Sequence, residues 1–462
     1  MRPSLTRRRF AAASLATLPA ARSLTLAQDH GTRPLLLKGA HVLTMAPGGD
    51  RPRTDVLIRG QRIAEVDRGL SAEGAEVMDC SGRILMPGFV GTHNHLWLSQ
   101  MRGLFGRSED TRYFPLSARL GAAYRPEDMY AGTLFGAAGA IEAGITTSFA
   151  YCDNIRSRES AEAALEALAA SGIRSRFYYA GHDDLPSGEF LELDHIAMLH
   201  ESWGQWSNGG LLGLGFGWRV PPAGSSESAF ERAARELAFV RDLGLPLSSH
   251  ISGENGPAQM AALIERGWLG EDMLLVHATG AAPEQLRAVR ERGASVVLTP
   301  ITEHRVGFGL TLFSQYAPAL PRISLGLDGA LGGAPDMFAV MKMLHNVQAG
   351  ASGEELSVLP RRILEHATIR GAEAVGLGDE IGSVEPGKRA DLILIDPDAL
   401  NMGAPEEDPS ALLVYSAQPQ NVVLVLVDGR IVKRGQRLTA LDGPAITRAA
   451  ARSIRGVRQR AD

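Results

Sequence analysis

Cysteine is almost missing: Cys80 and Cys152 are the only two in 462 residues, too few for a disulfide framework or a thiolate-based zinc site. Lysine is nearly as scarce, with Lys38, Lys342, Lys388 and Lys433 the four among 47 basic residues. No basic excess exists either. The 52 acidic side chains outnumber the basic ones and give a formal charge of -5, which argues against a surface built to neutralise a nucleic-acid backbone. No apolar run approaches the 18 residues or so of a membrane span. No glycine-rich dinucleotide fingerprint follows an early strand pattern, and there is no internal repeat or low-complexity segment. What is present is 45% hydrophobic and 21% charged residues, enough apolar mass for a large buried core.

The N-terminus reads as a targeting segment. Thr6-Arg7-Arg8-Arg9-Phe10 precedes a small, weakly apolar run from Ala11 to Ala21, and Thr25-Leu26-Ala27 offers a cleavage site. Charged start, apolar middle and small-residue end are the order of a twin-arginine-type signal over residues 1–27. The expectation is a periplasmic or secreted protein that uses the twin-arginine export machinery, without stable membrane insertion. Loss of this segment, which carries five arginines and no acid, would take the formal charge from -5 to -10.

Two half-domains flank a central one. Residues 33–83 and 377–440 carry short alternating stretches with turn residues such as Asp428-Gly429, and together they predict one small β-sandwich made from both terminal segments. Residues 441–462 are expected to be a tail. Between them, residues 84–376 alternate strand and helix. Strand patterns cover Ile84–His95, Ile145–Asp153, Arg174–Gly181, Leu211–Arg219, Pro246–Ser252, Met273–Ala278, Ser295–Pro300 and Ile323–Gly329. Amphipathic stretches such as Glu127–Glu142 and Glu227–Leu243 lie between them. That rhythm predicts an α/β fold, a (β/α)8 TIM-like barrel.

A barrel of this kind keeps its chemistry at the C-terminal ends of its strands. The first strand ends in His93-Asn94-His95, where residues two apart point to the same side. The fifth ends in His250, the sixth in His277 and the eighth in Asp328. Three or four imidazoles and one carboxylate converge if the strands close in order. Such a set suits zinc or another divalent first-row ion with a position left for water. His41, His195, His200, His345 and His366 fall on sandwich, helix or loop patterns and are expected to be structural.

Those residues lie in recognisable contexts. Pro87-Gly88-Phe89-Val90-Gly91-Thr92-His93-Asn94-His95 resembles the first-strand motif of the amidohydrolase superfamily. Leu325-Gly326-Leu327-Asp328-Gly329 resembles its last-strand motif, and Ile381-Gly382-Ser383-Val384-Glu385-Pro386-Gly387-Lys388-Arg389-Ala390-Asp391 its sandwich signature. The likeness spans nearly all of the chain after residue 27 and points to the cytosine-deaminase and chlorohydrolase-like branch, s-triazine hydrolases included. It implies one divalent metal ion per chain, zinc ahead of iron, held by His93, His95, His250 and Asp328. Asp328 would also accept the proton of the metal-activated water, with His277 beside that water. Binuclear members use a lysine of the fourth strand, and none of the four lysines here falls on a barrel strand.

The chain departs from that pattern in two places. Deaminases of the branch place a proton-donating glutamate three residues after the fifth-strand histidine, where His250-Ile251-Ser252-Gly253 has glycine. Glu254, one residue later, and Glu303, directly after the seventh strand, are the two candidates, with Glu303 preferred. The fourth strand ends in Gly217-Trp218-Arg219 instead of a histidine-bearing segment. Trp218 and Arg219 are expected to meet the substrate, together with Trp97 on the aromatic loop from Leu96 to Pro115, His182 and His304. The function expected is hydrolysis of a C–N or C–Cl bond in a small aromatic or heterocyclic molecule. A metal-dependent lyase or decarboxylase, and a non-catalytic metal- or ligand-binding protein, are the alternatives. Self-association into a homo-oligomer is left open.

Overall fold

A computed structural model describes residues 33–182, 192–330 and 332–462. The expected signal segment, with Asp183 and Asp184 beside His182, lies outside the described residues. Eight parallel strands close into a barrel in chain order: Phe89–Asn94, Ile145–Ile155, Ser175–Gly181, Leu212–Gly217, Leu247–Ile251, Met273–His277, Ser295–Leu298 and Ile323–Leu325. These are called barrel strands one to eight below. Their near-continuous burial matches apolar runs covered on both faces. The (β/α)8 barrel and the sandwich from both chain ends are therefore present.

One expected strand is two. Ile84–Pro87 pairs with Leu35–Val42 and Leu392–Ile395 in a nine-stranded sheet, and only Phe89–Asn94 enters the barrel. Gly88 is the joint, because a Cβ there would fall on the Thr146 side chain. The sheet encloses its own core of Leu37, Val56, Ile58, Leu392, Leu394 and Leu426.

A buried ionic cluster ties sandwich to barrel. Arg174, just before barrel strand three, donates through Nε and Nη2 to Asp391 at 2.7 and 3.0 Å, and through Nη2 to Asp428 at 3.0 Å. Arg389 reaches Asp428 at 2.7 Å. The last residue of the sandwich signature, Asp391, thus joins the two units.

Local chemistry sets the helices. Ser157, Ser226 and Asp336 cap Arg158–Ser171, Glu227–Asp242 and Met337–Ser352, each accepting from a backbone N–H three residues on. Helix Pro126–Glu142 lies directly on the 3-10 segment Leu96–Met101, since side chains at Gly132 and Gly136 would collide with Trp97 and Leu96 carbonyl oxygens. That contact fixes Trp97 at the rim of the barrel.

The expected C-terminal tail is instead a helix, Gly443–Ala461. It packs on Pro126–Glu142, where Ser453 and Arg460 both reach the buried Asp128. Its apolar residues recur at helical spacing (Ile446, Ala450, Ile454, Val457), a signal masked by the arginines between them. Among the described residues, no helix is long and apolar enough to cross a membrane.

Candidate active site

Three imidazoles and a carboxylate meet at the C-terminal mouth of the barrel. Nε2 of His93 lies 3.1 Å from Nε2 of His95 and of His250, and 3.1 Å from Oδ1 of Asp328. His95 and His250 approach to 3.3 Å. All four ligand atoms fall within 4.8 Å of one another. Ligands about 2.0–2.1 Å from a four-coordinate zinc must stand about 3.3 Å apart, so the set fits a divalent metal ion.

The surroundings prepare these groups for a cation. Burial pushes His93 down to about 4, and burial with the neighbouring histidines holds His250 well below the usual imidazole range. Both rings therefore offer lone pairs near neutral pH. Burial, the largest influence on His95, also favours the neutral ring, yet Asp153 and Asp328 outweigh it and raise His95 to about 10. Burial likewise works against the Asp328 anion, but hydrogen bonds from His93 and His95 keep it well below the carboxylate range. The carboxylates thus create a place that holds positive charge.

Asp153, at the end of barrel strand two, lies outside the motifs that single out the other site residues. Its Oδ1 accepts from Nδ1 of His95 at 2.8 Å and from Nε1 of Trp97 at 2.7 Å. A carboxylate can only accept, so His95 carries a proton on Nδ1, which leaves Nε2 as the atom that would exchange its proton for a metal ion. The available signal was an acidic residue at a strand end, the same pattern that picks out Asp328. Tyr151 is also absent from the motif reading. Its ring lies 4.6 Å from His250 and 5.2 Å from His93, filling space that glycines on barrel strand four leave open. A Cβ at Gly217 would run into Tyr151 and Ala180.

His277 faces the cluster from barrel strand six, its Nε2 3.9 Å from Oδ2 of Asp328. Its Nδ1 lies 3.0 Å from Oε1 of Glu303, which also accepts from the Thr299 backbone N–H at 2.9 Å. The Thr311 hydroxyl bonds the other Glu303 oxygen. His277, Ala278 and Asp328 all adopt left-handed backbone, with φ of +72°, +52° and +54°. Non-glycine residues are held there only where surrounding contacts over-determine them. Here those contacts aim both side chains into the cavity.

The cavity is about 430 Å³, and beside the cluster it is lined by Trp97, Tyr113, Phe114 and Phe308. Arg219 and Glu254 also line it. Glu254 gets there because Gly253 takes a left-handed φ of +59° and starts a 3-10 turn that redirects the chain after barrel strand five.

Four expected contacts are corrected. Glu303 is fully buried behind His277 and absent from the cavity wall, so it orients that ring and does not face a substrate. Trp218 is fully buried, donates to Ala233 O at 3.2 Å and packs against Trp268, which places it between barrel strand four and the helix behind. His304 accepts from the Thr311 N–H at 3.0 Å and holds its loop. His182 lies off the cavity wall at the end of barrel strand three. Outside the site, His345 bonds the Tyr415 hydroxyl and His366 the Ile323 carbonyl, as packing residues do.

A family model described as "Amidohydrolase family" matches residues 84–432. The chain belongs to the amidohydrolase family. It is a metal-dependent hydrolase acting on C–N bonds. The 5'-deoxyadenosine deaminase of Methanothermobacter thermautotrophicus is 30% identical over 428 residues, covering 88% of this chain and 95% of that protein. The 5-methylthioadenosine/S-adenosylhomocysteine deaminase of Symbiobacterium thermophilum is 29% identical, with 86% and 93% covered. Among solved structures, an adenosine deaminase from Xanthomonas campestris with bound zinc superposes with a TM-score of 0.77 at 23% identity, over 92% of this chain and 98% of that one. The fold is also that of atrazine chlorohydrolase from Arthrobacter aurescens, with a TM-score of 0.77 at 20% identity over 91% and 100%.

The same comparisons correct the expected location. The archaeal and bacterial relatives, matched over nearly their whole length, are deaminases named for adenosine-type compounds. Against these relatives the reading of an exported periplasmic or secreted protein does not stand, and it is withdrawn.

Proposed function

We propose that this amidohydrolase removes an exocyclic amine from a flat heteroaromatic ring, with adenosine-type compounds as the first substrates to test. The observation that carries the reading is the meeting of Asp328, His277 and the histidine cluster at one end of an aromatic-lined cavity. The names of the deaminase relatives support the substrate class.

We assign one zinc ion to His93, His95, His250 and Asp328, the count resting on a fourth strand whose small residues are packed by Tyr151 and Tyr178. Such an ion supplies hydroxide by lowering the pKa of a water molecule near neutral pH. Asp328 takes the proton released from that water. His277, oriented by Glu303, holds or passes a proton at Nε2 and steadies the negative charge carried by the attacking oxygen. Glu254, brought to the cavity by the Gly253 turn, protonates the departing amine. The C–N bond breaks, a C–O bond forms and ammonia leaves. Arg219 and Trp97, both lining the cavity, position the ring.

The test uses zinc-reconstituted protein with adenosine, 5'-deoxyadenosine, melamine and chlorinated triazines. The expected result is one zinc per chain, ammonia release and one ¹⁸O from labelled water in the product. Halide release without ammonia would assign the chain to dehalogenation instead. No turnover of any panel member would overturn the proposal.

A further inference from the structure

The loop after barrel strand seven holds a feature that the hydrolytic groups do not explain. Phe308 stands between Gly307 and Gly309, whose φ angles are +81° and +108°, and a Cβ added at either glycine would meet nothing within 4 Å. Backbone on both sides of this one ring is thus free of steric restraint and of side chains. The flanks of the loop and the N–H of Phe308 itself are tied down, which leaves the ring to move. Val306 and Phe308 N–H groups donate to Thr302 and Glu303 carbonyls at 2.8 Å, and Thr311 is bonded to Glu303 and His304.

The ring lies among His277, Gly253 and Phe114. It meets His277 edge-on at 5.5 Å, a Cβ at Gly253 would touch it, and it faces Phe114 at 6.2 Å with planes 29° apart. Phe114, on the helix Tyr113–Ala122, lines the same cavity and is 53% exposed, unusual for phenylalanine. Two nearly parallel aromatic faces therefore stand across the entrance. A flat ring between them needs about 3.5 Å on each side, roughly 7 Å in all. The rings must part to admit one, a step within reach of a glycine-flanked loop.

We propose that Phe114 and Phe308 form an aromatic clamp that grips the planar ring of the substrate, with Phe308 as the moving jaw. The clamp rests on the proposed heteroaromatic substrate, and it selects flat rings over saturated amines of equal size. A ring held there lies beside His277, which Phe308 already meets edge-on.

The experiment measures binding of purine, which has the ring but no leaving group, to the zinc-loaded protein by calorimetry. Phe308→Ala should raise the purine Kd roughly 5- to 100-fold, the range for losing one ring from a base stack. Phe308→Leu should do nearly as much while preserving loop packing, and Phe308→Tyr should stay within about threefold of wild type. Gly307→Ala should slow association in stopped flow, because alanine resists that φ. A purine Kd changed less than twofold in both Phe308→Ala and Phe308→Leu overturns the clamp. Purine binding that depends on Phe308 in a protein releasing no ammonia would leave the clamp standing and remove the deaminase reading. Ammonia release with Phe308-independent purine binding would do the reverse.

Discussion

Glu303→Gln separates two roles that one carboxylate can play beside a catalytic imidazole. In the structure both Glu303 oxygens are used as acceptors, toward His277 and Thr299 on one side and Thr311 on the other. An amide of the same shape can accept on one side only. With its carbonyl toward His277, the bond to Nδ1 persists but loses its charge, a change of about 1–1.5 kcal/mol. With the amide nitrogen there, the proton of His277 shifts to Nε2 and the loss approaches about 3 kcal/mol. At about 1.4 kcal/mol per tenfold, kcat should fall roughly 5- to 150-fold. The loss should be alike for an amine and a chloride leaving group, because orientation of His277 serves attack and not departure. A proton donor would behave differently: loss of roughly 100- to 10,000-fold with the amine and little with chloride. Steady-state kcat and kcat/KM with adenosine and its 6-chloro analogue measure this directly. A change below twofold, or a loss confined to the amine, would refute the orienting role.

Three further outcomes follow from the packing. Asp391→Asn leaves buried Arg174 with part of its pairing and should cost about 3–5 kcal/mol in urea unfolding; a shift below about 1 kcal/mol would mean the cluster is not what joins the domains. Burial raises Glu236 to about 7 from an ordinary 4.5, so its protonated form stabilises the fold below pH 4.5 and that contribution is lost as pH rises through 7. Glu236→Gln should therefore gain up to about 3 kcal/mol over wild type at about pH 8 relative to about pH 4.5, and parallel stability-pH curves would contradict this. Gly329→Ala places a methyl group on the ring and hydroxyl of Tyr113, so KM should rise while metal content stays at wild-type level; loss of metal instead would show that Gly329 serves Asp328.

The barrel was legible because eight apolar runs alternate with amphipathic helices, a period that local side-chain pattern carries by itself. His93, His95, His250, His277 and Asp328 were legible for the same reason: each lies at a strand end, and a closed barrel brings strand ends together. The C-terminal helix was missed since arginines interrupt its apolar spacing, and its stability comes from packing on Pro126–Glu142. Location was misread because a short N-terminal pattern of charge and small residues carries no tertiary check.

What the chain alone determined is the order of elements and the kind of atoms at their ends, since periodicity and residue chemistry are local properties. Only the tertiary structure decided where each glutamate points. Glu303 meets a buried threonine hydroxyl and turns inward to His277, whereas one left-handed glycine turns Glu254 to the cavity. Likewise Trp218 turned outward into the core and Asp153 inward to His95. Direction at a strand end depends on the last residue's backbone angles and on the neighbouring wall, and those are set by the whole barrel closing.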